Sequence, residues 1–246
     1  MTGTTCRCAS GCTWLRAWRT RSGCAGPATR RSRSRGSSST PTAGSGPRTC
    51  ALTHPFEDRA DDGLLFLDPV TLARRAEPFA LDGWTIATHA IGDRAIEAAL
   101  DAYELVYGAD CTTARPRIEH AQVLRRDLVD RMADMGVAVC IQPGFAHSDA
   151  DTARAGLGAE RMESAYRWEL LLDAGVQVLT GSDFPIEALS PLDGLQKLAT
   201  PLGVERALAL MTDGSAGATV LSDDPAGVEP EEISRIEVVD VQPSVA

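Results

Sequence analysis

Two histidines and one aspartate stand where this chain could hold a metal. They lie in Thr88-His89-Ala90-Ile91-Gly92-Asp93, Glu119-His120-Ala121-Gln122 and Gly181-Ser182-Asp183-Phe184-Pro185. Each segment follows an apolar, β-branched run that reads as a buried strand, and each sets a metal-capable side chain at or just past the strand's end. Neutral imidazoles and a carboxylate converging from separate strands, with one position open for water, form the donor set of a hydrolytic metal site. The metal would lower the pKa of its bound water, and Asp183 at its edge could take the proton and pass it to a leaving amine. Arg94, Glu119 and Gln122 flank the three and are candidates for orienting ligand or substrate. His147, just past Gln142-Pro143, is a further candidate for contact with substrate or metal. A lone strand-end histidine is more often a hydrogen-bonded structural residue. The metal reading rests on His89, His120 and Asp183 occurring together. Glu119 has a rival role as the ion-pair partner of Arg117 or Arg94, and His54, ahead of Pro55, reads as a solvated turn residue.

The elements that must position these residues follow from periodicity. Asp68-Pro69 predicts an N-cap followed by proline at the first helical position, with a helix to about Leu81. Trp84 to Thr88 is a strand. Asp93 is expected to cap a helix whose apolar stripe is Ile96, Leu100, Tyr103 and Tyr107. Pro116 to His120 is the next strand, and Leu124, Leu128, Met132 and Met135 mark the next helix. Val137 to Ile141 is a strand, residues 144–160 are expected to be a long polar loop, and Tyr166, Leu170 and Asp173 continue as a helix to a Gly175 cap. Val176 to Thr180 is the last clear strand. Val204 to Met211 reads as a short helix, and Ile233 to Val241 could add a strand. Apolar strands alternating with helices predict a parallel sheet buried on both faces, hence an α/β fold. In a parallel barrel the strand-end residues all face the C-terminal mouth.

Composition divides the chain. Residues 1–56 contain no Asp or Glu and nine Arg, whereas the rest carries all 34 acidic residues. Residues 1–46 form a basic, low-complexity arm too poor in aliphatic side chains to offset its ordering entropy, and are expected to be disordered. Trp14, Leu15 and Trp18 would make at most one amphipathic turn. Residues 47–200 are assigned to the β/α unit and 201–246 to a C-terminal helix and tail. Five of the seven cysteines lie in the first fifty residues, in odd number and irregular spacing, which argues against a disulfide framework. Cys6, Cys8 and Cys12 lack the second spaced pair that would close a zinc site. No secretory signal or membrane-length apolar run occurs, so a cytoplasmic protein is expected. The arm could contact nucleic-acid phosphates, but it has little aromatic interleaving and the body is strongly acidic, which argues against that partner. Gly214-Ser215-Ala216-Gly217 has neither the preceding strand nor the following lysine of a phosphate loop.

Taken in order, Thr88 to Ala95, Arg117 to Gln122, Ile141-Gln142-Pro143 with Ser148-Asp149, Tyr166-Arg167-Trp168, and Gly181 to Pro185 resemble the metal-dependent amidohydrolase superfamily. The branch resembled is amidohydrolase family 3, which includes enzymes similar to N-substituted formamide deformylase. The resemblance runs from about Gly46 to Gly194. It implies the C-terminal half of a (β/α)8 barrel of the TIM type, with His89 and His120 as the histidine ligands of strands five and six. Asp183 would be the strand-eight aspartate, at once metal ligand and general base. The implied reaction is hydrolysis of a non-peptide carbon–nitrogen, amide-type bond in a small molecule by a metal-activated water, with zinc as the divalent metal.

The chain departs from that family in ways that bear on activity. Members carry a His-X-His pair on the first strand, and the first histidine here is His54. They use a lysine on strand four, and the one lysine here is Lys197. Phe145 stands where many relatives have a histidine. A catalytically inactive remnant is therefore the alternative reading. A half barrel would leave two unpaired sheet edges and favour self-association. The acid-free start is what a GC-rich coding region yields in a shifted frame. Residues 1 to about 45 are accordingly expected to be an out-of-frame translation, which translating the locus in all frames would test.

Overall fold

The computed structural model describes residues 13–20, 33–39, 48–82, 84–214 and 236–241, and only the backbone of 13–20, 33–39, 213–214 and 236–241. Two strands, β1 (Thr13–Thr20) and β2 (Arg33–Ser39), come first. The helix α1 (Pro69–Leu81) starts as its sequence predicts: the Asp68 carboxylate accepts from the Thr71 N–H at 2.9 Å, and Pro69 fills the first turn. Then follow β3 (Trp84–Ala90), α2 (Asp93–Tyr107), the short α3 (Cys111–Ala114), β4 (Arg117–His120), α4 (Arg126–Met135) and β5 (Ala138–Ile141). The chain continues through α5 (Phe145–Ser148), α6 (Ala150–Met162), α7 (Trp168–Asp173), β6 (Val178–Thr180), α8 (Pro191–Leu202), α9 (Val204–Ala209) and β7 (Ile236–Val241).

The seven strands form one sheet in the order β6-β5-β4-β3-β2-β1-β7. From β2 to β6 every neighbouring pair is parallel, whereas β1 runs antiparallel to both β2 and β7. This is the α/β half barrel expected from the alternation of apolar strands and helices. Its buried cluster lies between the sheet and the helices: Ile86, Ile118, Val139 and Val178 on the strands meet Ile96, Leu100 and Tyr103 of α2, Leu128 and Met132 of α4, and Leu171 of α7. On the sheet's other face Arg117, Glu119 and Cys140 are half-buried. Among the described residues no helix is long and apolar enough to cross a membrane.

Three local expectations are corrected. The basic arm carries β1 and β2, and Trp14 to Trp18 are extended, not a helical turn. β2 pairs with the edge of β3. The residues 144–160 form α5 and α6 instead of a loop. A sparse apolar pattern suffices there because Ala153 and Leu157 pack with Phe56 in a second small cluster, and the Glu57 N–H donates to the Gly156 carbonyl at 2.8 Å. Finally, α2 is capped by Gly92, and Asp93 lies inside its first turn. A Cβ on Gly92 would stand 2.0 Å from the Ala51 carbonyl oxygen, so this position admits only glycine. The close approach lets the Asp93 carboxylate accept from the Thr53 N–H at 2.9 Å.

Candidate metal centre

The register of the sheet decides which strand-end residues can meet. His89 on β3 pairs with Glu119 on β4, and Glu119 with Cys140 on β5, while His120 pairs with Ala90. Strict alternation would send His89 and His120 to opposite faces. The backbone at His120 avoids this by adopting φ 80°, followed by φ 46° at Ala121. Such values are uncommon for residues with a Cβ and mark local strain. The result is an edge-to-face contact: the two imidazole centroids are 4.6 Å apart, with the planes at 72°. Phe145 at the start of α5 lies 5.9 Å from the His120 ring.

His120 is buried, and its Nδ1 has no hydrogen-bond partner. Burial holds its pKa well below the ordinary imidazole value, and the neighbouring His89 ring adds to the shift, while the Gln142 side chain opposes it. His120 is thus a neutral ring at pH 7, the form in which histidine binds metals. Tyr103, buried on α2, braces the two strands that carry the pair. Its hydroxyl donates to the Arg117 carbonyl at 2.6 Å and shares a 2.8 Å hydrogen bond with the Thr88 hydroxyl.

Asp183 sits on an exposed turn three residues beyond β6, with φ 57°. Among the described residues, no three His, Cys, Asp or Glu side chains are grouped to hold one ion. His89 and His120 are in ring contact. In the sheet β5 lies between β4, which carries His120, and β6, which precedes Asp183. The donors present fit a divalent metal in kind, since a neutral imidazole is a ligand type. They do not fit it in number, because a catalytic zinc takes three protein ligands.

The flanking candidates have other partners. Glu119 pairs with Arg117 across the β4 pleat at 2.5 Å, which decides between its two rival ion pairs. Arg94 pairs with Asp62 at 2.7 Å. Gln122 is buried, and its carbonyl accepts from the Tyr166 N–H at 2.7 Å, tying the β4 exit to the segment ahead of α7. His147 is exposed on α5. His54 is exposed as expected, and its carbonyl accepts from Arg161 at 3.1 Å. The residues that motif reading did not single out are Tyr103 and Cys140. Cys140 abuts the site, its thiol pushed up by burial first and by Glu119 next, with Asp183 adding to the shift. Only the strand register reveals that placement.

The family model described as the amidohydrolase family matches residues 41–230. The protein YtcJ of Bacillus subtilis (strain 168) is 32% identical over 228 residues, covering 78% of this chain and 43% of YtcJ. N-substituted formamide deformylase of Arthrobacter pascens is 32% identical over 112 residues, covering 45% of this chain and 21% of that enzyme. Among solved structures, an uncharacterized metal-dependent hydrolase of Pyrococcus furiosus superposes with a TM-score of 0.67 at 29% identity, over 81% of this chain and 43% of that one. A counterpart from Pyrococcus horikoshii gives 0.68 at 28% identity, over 82% and 44%. The chain spans less than half the length of these relatives. By the family match and the shared half-barrel fold, the chain belongs to the amidohydrolase family.

Proposed function

We propose that this chain carries the histidine-bearing half of a metal-dependent hydrolase acting on a non-peptide carbon–nitrogen bond in a small amide-type substrate. The observation that carries the reading is the contact of His89 with His120 at the C-terminal ends of neighbouring parallel strands. A strained backbone at His120 sustains that contact, and strain of this kind concentrates at functional sites. In this reading His89 and His120 present neutral nitrogens to a divalent metal, zinc by donor type, and Asp183 is the carboxylate that receives a proton. A metal bound there would supply the acidified water. At least one further donor is needed, and no hydrolytic step is assigned to the two histidines alone.

A specific observation favours a second reading, a catalytically inactive member of the family: no three-donor group exists among the described residues. One experiment separates the two. Metal content is measured on purified protein and on His89→Ala and His120→Ala, beside hydrolysis of a panel of N-substituted formamides and N-acyl amines. The hydrolase reading expects near-stoichiometric zinc, manganese or iron that falls by about tenfold or more in either variant, together with turnover. Metal-free wild-type protein with no turnover establishes the inactive member.

A further inference from the structure

We infer that Gln142 sets the tautomer of His120: the carboxamide Oε1 takes the Nδ1–H of the ring, so that Nε2 keeps its lone pair. Two buried polar atoms at this place lack partners, His120 Nδ1 and Gln142 Oε1. Their residues are 6% and 5% exposed, so bulk water does not serve either. The pairing of Glu119 with Cys140 sets His120 beside Ile141 and brings Gln142 to the end of β4. The Phe145 ring, 5.9 Å from His120, closes the space from the α5 side.

The two orphans are chemically complementary. Gln142 Nε2 donates to the Cys140 carbonyl at 3.0 Å, which settles the end of the carboxamide that carries the oxygen. Oε1 therefore faces away from that carbonyl and can only accept. A neutral imidazole has one N–H and one lone pair. With the lone pair on Nδ1, two acceptors would face each other in a buried space, each unsatisfied. With the proton on Nδ1, a donor and an acceptor are available to each other. Of the two ring nitrogens only Nδ1 is buried without a partner, so Nε2 is the one left to present its lone pair outside this contact. An amide that fixes a ligand histidine's tautomer from its far nitrogen is a recognised way of orienting and strengthening the donor. Gln142 is thus a positioning residue, acting through His120.

The inference deepens the metal-centre reading and depends on it only for its purpose. The tautomer is read in metal-free protein, so a failure to bind metal would count against the hydrolase reading alone. The test is a long-range 1H–15N correlation of the histidine rings in uniformly 15N-labelled protein near neutral pH, with His120 assigned by its loss in His120→Gln. The expected pattern is a protonated Nδ1 and an unprotonated Nε2. In Gln142→Met, which keeps the length and removes the acceptor, the Nε2–H form should grow to half the population or more. A wild-type His120 protonated on Nε2 overturns the inference. So does an unchanged pattern in a folded Gln142→Met protein. Should that variant not fold, the wild-type spectrum decides.

Discussion

His89 and His120 meet edge to face at 4.6 Å although they come from positions one residue out of register on β3 and β4. The left-handed backbone at His120 turns its ring to the face that His89 occupies. Burial first, and the neighbouring His89 ring next, hold the His120 pKa well below its ordinary value.

The first prediction concerns pH. The unfolded ring takes a proton below about pH 6.5, whereas the folded ring does so only at a much lower pH. The unfolded state thus binds more protons in that window. Stability should fall as pH drops below about 6.5, by up to about 1.4 kcal/mol per pH unit from this group until the folded pKa is passed, and should be insensitive to it above. Urea unfolding at about pH 5 and about pH 7.5 measures the slope, and His120→Gln should remove this residue's share.

Tyr103→Phe deletes the hydroxyl that serves the Arg117 carbonyl and the Thr88 side chain. The carbonyl is then buried without its donor, and a loss of about 1–3 kcal/mol in unfolding free energy is expected. The same variant should loosen the His89–His120 contact, visible as broadened ring resonances of both histidines.

Gly92→Ala places a methyl group 2.0 Å from the Ala51 carbonyl oxygen. Segment 51–53 must then lift from the start of α2, and the bond from the Thr53 N–H to Asp93 is lost. A destabilisation of about 1–3 kcal/mol is expected, read as a lower urea midpoint with little change in slope.

Burial pushes the Cys50 thiol up to about 12 and the Cys111 thiol up to about 11, and raises Cys140 well above its ordinary value. The thiolate is the reactive species, so all three should resist alkylation by iodoacetamide in the folded protein. Peptide mass spectrometry near pH 8 should show labelling slower by about 100-fold or more than in urea.

Much of the fold was legible in the chain. The strands that carry His89, His120 and Thr180, and the capping of α1 by Asp68, follow from apolar runs and local hydrogen-bonding chemistry, which act over a few residues. The helix α6 is not legible in the chain because its stability comes from Phe56 and Glu57, about a hundred residues away. The true place of Asp93 is hidden for a similar reason: the close approach of Ala51 to Gly92, which recruits its carboxylate, is a tertiary contact.

The candidate site divides along the same line. Residue types and their order sufficed to point to the family, and they single out His89, His120 and Asp183 as candidate donors at strand ends. Whether those donors meet was decided in three dimensions. The twist at His120 joins the two histidines, β5 stands between them and the turn bearing Asp183, and Glu119 and Arg94 are drawn to Arg117 and Asp62. Spacing along a chain records which side chains reach a strand's end. The faces on which they emerge depend on register and backbone rotation, and both are set by pairing between strands far apart in sequence.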